Sequence, residues 1–204
     1  MFEEKSKSYP KYILLSPIFT STLPCLYAKQ SIRYDLTSIP KSHNASSFLS
    51  ELHSIFEEYP DHTHCYTDGS RIHHKTACAY SVAGSTHSFR LYNSSSIFTA
   101  ELVAILSCIQ SLSHNRPFSN FLILTNSSLS SLKAFGNPFS AHPLLQRILL
   151  SLHTLTTCNI SFTLIWAPAH TEIKGNEAVD RAAKNATKFP KISLNVRPPA
   201  SDLT

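Results

Sequence analysis

The order of predicted secondary structure between His64 and Ala186 limits the folds open to this chain. Three short runs rich in Tyr, Val, Phe and Cys, at residues 64–67, 77–82 and 88–92, are separated by turn signals and indicate an antiparallel meander. Helices and strands then alternate: helices are predicted over 97–112, 127–135, 142–156 and from a capping Asn176, and strands over 121–124 and 160–166. This order predicts an α/β fold with a mixed five-stranded sheet, three antiparallel strands followed by parallel strands, flanked by helices.

Polar residues stand where predicted strands end or predicted helices begin. Asp68 follows the first strand, and the pair Asp68-Gly69 is interpreted as a tight turn. Asn126 follows the buried strand of the second half, while Glu101 and Asp180 are placed in the first turns of their helices. Because the carboxyl ends of neighbouring parallel strands meet at one edge of a sheet, Asp68 and Asn126 are predicted to lie side by side.

Carboxylates gathered at one edge repel one another unless hard cations lie between them. Mg²⁺ takes oxygen ligands and keeps water for chemistry, and two such ions about 4 Å apart activate a water and stabilise a leaving oxygen in phosphodiester hydrolysis. Each residue also has an ordinary explanation. Glu101 suits a helix dipole, Asp180 has the i,i+4 spacing of an ion pair with Lys184, and His170 is explained as a loop histidine.

The two ends of the chain differ in pattern from its centre. Residues 1–60 contain prolines that interrupt any period, apart from one helical stripe over 47–58, and are predicted to be a tether with a short helix. Residues 189–204 are Pro-rich and basic and are predicted to be a C-terminal tail. Residues 61–188 form the predicted domain.

Composition narrows the functional classes without selecting one. The 204 residues carry a formal net charge of +5, which is compatible with a nucleic-acid partner. Five scattered cysteines without a Cys-x-x-Cys pair argue against a disulfide framework and a structural zinc site. No secretory signal and no apolar run of membrane-spanning length is visible, so a nuclear or cytoplasmic protein without a membrane partner is predicted.

Five motifs, taken in order, resemble the type 1 ribonuclease H domain, most of all the version at the carboxyl side of the reverse transcriptase in non-LTR retrotransposons. They are Tyr66-Thr67-Asp68-Gly69-Ser70, Thr99-Ala100-Glu101-Leu102, Leu124-Thr125-Asn126-Ser127, Trp166-Ala167-Pro168-Ala169-His170 and Gly175-Asn176-Glu177-Ala178-Val179-Asp180. The resemblance spans residues 61–188. It implies the ribonuclease H fold and two-metal hydrolysis of the RNA strand of RNA–DNA hybrids. It also implies two Mg²⁺ ions with Mn²⁺ as a substitute, a monomer, and an upstream reverse transcriptase domain as a partner.

The resemblance assigns roles residue by residue. Asp68, Glu101 and Asp180 match the carboxylates that hold the metals, and His170 matches a loop histidine that assists proton transfer or product release. It also implies contacts to nucleic acid at four positions: Gly69, Ser70, Ser96 and Ser127.

Two positions depart from the family's pattern. Asn126 stands where the family has an aspartate, so the metal site is degenerate there, with one negative charge fewer, and hydrolysis is expected to be severely reduced or absent. Glu172 stands where the loop after His170 usually has glycine. Three hypotheses follow. The chain is an impaired ribonuclease H, an inactive hybrid-binding module left from a retrotransposon, or a structural module of the same fold without a nucleic-acid role.

Overall fold

A computed structural model describes residues 12–13, 31–39, 45–112, 120–126, 132–133, 135, 142–168 and 173–202. The strands are β1 (Tyr12–Ile13), β2 (Ser31–Arg33), β3 (Thr63–Ile72), β4 (Lys75–Val82), β5 (Ser85–Arg90), β6 (Asn120–Thr125), β7 (Ser161–Trp166) and β8 (Asn195–Val196). The helices are α1 (Ala45–Glu58), α2 (Ile97–Leu112), α3 (Pro143–Thr157) and α4 (Lys174–Ala186). Within the described residues, none of these helices has the length and apolar character needed to cross a membrane. The helix predicted over 127–135 lies largely outside the described residues.

Six strands form one mixed sheet in the order β2-β7-β6-β3-β4-β5. As predicted, β3, β4 and β5 are antiparallel neighbours, and β6 and β7 continue the sheet in parallel with β3. The predicted α/β class is therefore confirmed, but the sheet has six strands rather than five. The additional strand, β2, pairs in parallel with β7 at the sheet edge, and its three residues are too few to show a period within an irregular segment.

Helices cover both faces of the sheet, and β6 shows this residue by residue. Phe121 and Ile123 of β6 join the core that α2 and α3 form on one face. Leu122 and Leu124 point to the opposite face, where they pack in the core formed with α1. Helix α4 lies on this second face against β3, β4 and β5. The continuous apolar run of β6 is thus buried on both sides, as the sequence predicted.

Strand β3 continues through the pair Asp68-Gly69, so the prediction of a turn there was wrong. Its pairing with β4 runs on to Ile72, and the chain reverses at residues 73–74, where His73 has a φ of 53°. Gly69 is required for close packing, because a Cβ at this position would lie 2.7 Å from the backbone nitrogen of Glu101 in α2. A turn and a close helix contact both favour glycine, and the sequence does not distinguish between them.

Both terminal segments contribute to the packing of this sheet. Arg33 of β2 donates hydrogen bonds to Asp35 and to Glu58 at the end of α1. These bonds connect two parts of the predicted tether, the edge strand β2 and helix α1. In the predicted tail, Leu194 and Val196 are buried in the core beside α2 and α3. The packing therefore extends beyond residues 61–188, while the proposed division into tether, domain and tail stays a prediction.

We expect Gly69→Ala to lower the free energy of unfolding by about 3 kcal/mol, because the new methyl group forces α2 away from β3. Urea unfolding measures the change. Gly84→Ala is the matched control: an added Cβ there meets nothing within 4 Å, and its φ of +81° costs about 1 kcal/mol for a non-glycine residue. A Gly69→Ala variant as stable as Gly84→Ala would contradict the close contact between α2 and β3.

Candidate functional site

An open pocket lies at the edge of the sheet where β6 stops. The last residue of β6, Thr125, pairs with Thr67 of β3, so Asn126 follows beside Asp68. Beyond this point β3 has no strand neighbour on that side among the described residues. The pocket has a volume of about 270 Å³, and its walls come from β3, the end of β6, α2 and α4. The parallel register therefore brings Asn126 to Asp68, as the sequence predicted.

Six of the residues predicted for the site line this pocket: Asp68, Gly69, Ser70, Glu101, Asn126 and Asp180. Ser96 does not line it. Its Oγ accepts the backbone N–H of Thr99 at 3.0 Å at the start of α2, and its own N–H donates to Asp202 Oδ2 at 2.8 Å. His170 and Ser127 lie outside the described residues, and so does Glu172, which differs from the family's usual glycine.

Glu101 and Asp180 reach the pocket from the second turns of their helices, and the prediction of first-turn positions was wrong. Helix α2 begins at Ile97 and helix α4 begins at Lys174, so four residues of each helix precede the turn that carries the acid. Asn176 is also not the predicted cap, because α4 begins two residues earlier. Asn176 is instead buried in the first turn, and its Oδ1 has no hydrogen-bond partner within the described residues.

Asp68 is almost completely buried, and its carboxyl lies between Asn126 and Asp180. Burial and the charge of Asp180 raise the pKa of Asp68 to about 7, although hydrogen bonds from the Asn126 side chain and the Gly69 N–H act in the opposite direction. A hydrogen bond between the two carboxyls also raises this pKa, because it requires a shared proton. Without cations, the Asp68 carboxyl therefore keeps its proton to a much higher pH than an ordinary aspartate does.

Asp180 is also paired with Lys184, one turn further along α4. Lys184 Nζ donates to Asp180 Oδ2 at 2.8 Å, which confirms the i,i+4 ion pair that the sequence allowed. The hydrogen bond to Asp180 raises the pKa of Lys184, so the ammonium stays charged over the physiological range. Part of the negative charge of the pocket is therefore already neutralised by the chain itself.

The pocket supplies the oxygen donors that Mg²⁺ prefers. Asn126 Oδ1 is buried without a hydrogen-bond partner among the described residues, and an acceptor of this kind is satisfied by a cation. In the same part of the chain, however, no group of three or more His, Cys, Asp or Glu side chains is arranged to hold an ion. The donors fit a divalent cation by their chemistry, and Lys184 already pairs with one of the oxygens of Asp180.

Five other residues of the pocket were not assigned to the site from the sequence: Arg71, Ile97, Asn176, Glu177 and Lys184. Four of them had a usable signal, since Asn176 and Glu177 belong to the motif that ends at Asp180, while Lys184 and Ile97 have helical spacing from Asp180 and Glu101. Arg71 had none. Its place beside the pocket depends on β3 continuing past Asp68, which the turn interpretation did not allow.

The mixed sheet with helices on both faces, and an acidic pocket beyond the ends of parallel strands, define a domain of the ribonuclease H-like class. The family model described as RNase H matches residues 60–188, and the chain belongs to this family. Among solved structures, the crystal structure of RNase H1 from the halophilic archaeon Halobacterium salinarum NRC-1 is similar, with 19% sequence identity, coverage of 61% of this chain and 96% of that chain, and a TM-score of 0.49. Comparison with curated proteins finds no match.

Without divalent cations, we expect Asp68 to make the fold less stable as the pH rises from about 4 to about 7. Its folded pKa of about 7 lies above its ordinary value of 3.8. The folded state therefore binds the proton more strongly over this window, and the free energy of unfolding falls as the pH rises. Asp68→Asn removes this effect, so its stability relative to the parent increases with pH, by at most roughly 4 kcal/mol.

Urea unfolding in a chelating buffer at about pH 5 and about pH 8 measures this difference. Glu51→Gln, which neutralises an exposed acid on α1, is the control and is expected to follow the parent at both pH values. A stability difference between Asp68→Asn and the parent that does not change with pH would show that the carboxyl is not held in this protonated pair.

Proposed function

We propose that this chain is a ribonuclease H that hydrolyses the RNA strand of RNA–DNA hybrids by two-metal catalysis with Mg²⁺, and that Asn126 impairs its turnover. The observation that supports this best is the convergence of Asp68, Glu101, Asn126 and Asp180 on one pocket in a chain of the RNase H family. The resemblance adds a retrotransposon origin, an upstream reverse transcriptase domain as a partner, a monomeric state and a nuclear or cytoplasmic location to the proposal.

In this proposal the carboxylates of Asp68, Glu101 and Asp180 and the carbonyl oxygen of Asn126 hold the cations. Bound cations activate the attacking water and stabilise the leaving oxygen. The residues of the chain have their own parts in the reaction. Asp68 would hold a cation in its deprotonated form, and Asp180 would do so once Lys184 Nζ no longer donates to its Oδ2. His170 assists proton transfer or product release.

Asn126 changes the electrostatics of the pocket by one charge relative to an aspartate. Its side chain donates a hydrogen bond that stabilises the Asp68 carboxylate, whereas a second carboxylate at this position would repel it. The pocket therefore tolerates the absence of cations and has less electrostatic attraction for them. This is the physical reason for expecting weak turnover.

Contacts to the hybrid are proposed at the polar groups around the pocket. Gly69 and Ser70 lie on its wall, and Ser127 follows Asn126 in the chain. Ser96 is different, because its backbone N–H already donates to Asp202. A phosphate that uses this N–H requires Asp202 to move.

A second candidate is an inactive module that binds hybrids without cutting them. The hydrogen bond between Asn126 and Asp68 and the ion pair between Lys184 and Asp180 favour it, because together they stabilise the acidic pocket without any cation. A structural module of the same fold without a nucleic-acid role is the third possibility, and the test below separates all three.

We expect Asn126→Asp to increase cleavage of a labelled RNA–DNA hybrid in Mg²⁺ by about 100-fold or more. A well-held catalytic cation supplies several kcal/mol of transition-state stabilisation, and each 1.4 kcal/mol is a factor of about ten in rate. The measurement compares the parent and the variant, each with and without Glu101→Gln, which removes one of the proposed ligands and is expected to abolish cutting in both.

Each outcome selects one hypothesis. Equal and robust cutting by the parent and by Asn126→Asp shows that the asparagine carbonyl is a sufficient ligand and that the impairment is absent. Hybrid binding without cutting by either supports the inactive module. If neither protein binds or cuts the hybrid, the fold has another role.

A further inference from the structure

The tip of the β3–β4 hairpin, residues 71–75, projects beside the pocket. Pairing between β3 and β6 ends at Thr67, whereas pairing between β3 and β4 continues to Ile72. The last residues of this hairpin therefore stand beyond the end of β6, with no strand on that side in the part of the chain that the structure describes. Ser70 and Arg71 form part of the pocket wall, so the tip, as defined by residues 71–75, overhangs the entrance to the site.

All five residues of the tip are exposed, and the tip carries positive charge that the chain does not neutralise. Within the described residues, no side-chain hydrogen bond or ion pair involves Arg71 or Lys75. Arg71 borders a pocket that four acids also line, but none of these acids forms an ion pair with it among the described residues. The two cations are free to bind an anionic partner.

The cations lie on opposite faces of the hairpin. Lys75 pairs directly with Ile72 across the two strands, so it shares a face with Asp68 and Ser70. Arg71 lies one residue away from Ile72 and so points to the other face, which is the face of Gly69 and α2. A polyanion that passes the entrance of the pocket therefore meets a cation from either side of the hairpin.

The residues of the turn differ from those that stabilise two-residue hairpins best. Two-residue hairpin turns favour Asn-Gly or Asp-Gly, because both residues take positive φ. Here the turn is His73-His74, and His73 has a φ of 53°, a conformation that glycine adopts at less cost than histidine. Ile72 is a large apolar residue that is 37% exposed. These features are unfavourable for a tip that contacts only water.

We propose that residues 71–75 are a nucleic-acid contact, with Arg71 and Lys75 bound to the phosphate backbone of the strand that passes the pocket. The inference rests on the proposed function for the identity of the ligand, an RNA–DNA hybrid, but it concerns binding and not cleavage. Phosphate contacts are independent of base sequence and weaken with salt. The tip therefore supplies general affinity and positions the strand.

The test measures binding of a fluorescent RNA–DNA hybrid by anisotropy over a series of salt concentrations, in a chelating buffer so that no cutting occurs. The variant is Arg71→Ala combined with Lys75→Ala in the full chain. We expect its affinity at low salt to fall by about tenfold or more, and the slope of log Kd against log salt to decrease by about 2, one for each lost phosphate contact.

The matched control is Lys188→Ala combined with Lys191→Ala, which removes the same charge from two exposed lysines outside the pocket wall. We expect its affinity and salt slope to stay close to those of the parent. Because all four side chains are exposed, thermal melting of both variants is expected to match the parent, and this is checked first.

The possible failures are distinguishable. Equal weakening in both double variants, or none in the hairpin variant, overturns the contact while leaving the proposed function in place, because the parent still binds. A parent chain that binds no hybrid at any salt concentration overturns both. Loss of affinity and of salt slope in the hairpin variant alone supports the contact, whether or not the chain cuts its substrate.

Discussion

The difference in length between β3 and β6 is the constraint on which the functional edge depends. β6 stops opposite Thr67, whereas β3 continues to Ile72. The missing neighbour leaves a gap beside β3, and this gap is the pocket. Asn126 falls next to Asp68 at its edge. Helices α2 and α4 approach the pocket from opposite faces of the sheet, α2 with Glu101 and α4 with Glu177 and Asp180. The same difference in length leaves the hairpin tip standing over the entrance.

Contacts within the chain neutralise part of the negative charge of this pocket. Burial and the nearby charge of Asp180 favour the protonated form of Asp68, the Asn126 side chain donates a hydrogen bond to Asp68, and Lys184 pairs with Asp180. Buried carboxylates without such partners are costly, so these contacts stabilise the fold without cations. They also compete with any cation, since each must be released or rearranged before the oxygens become available. Under the proposed function, contacts that stabilise the fold without metal therefore compete with metal binding at this site.

The segments on either side of the family match extend the sheet and pack against its helices. β2 extends the sheet beside β7, and α1 covers the part of the second face that α4 does not reach. At the other end, the segment around Leu194 and Val196 packs against α2, and Asp202 accepts a hydrogen bond from Ser96 at the start of that helix. An acid at a helix N-terminus is favourable. The helix that carries Glu101 is thereby held at its first residues by the end of the chain.

The sequence alone determined the helices with a strong apolar period. It also determined which polar residues meet at the site. The apolar stripe predicted α2 from Ile97 to Leu112, and the spacing of Asp180 and Lys184 indicated their ion pair, because these features depend on neighbours along one helix. Only the tertiary structure decided that Gly69 lies within a strand, that β2 joins the sheet, and that Arg71 borders the pocket. Each of these depends on the approach of segments distant in sequence, and packing, rather than local preference, sets such distances.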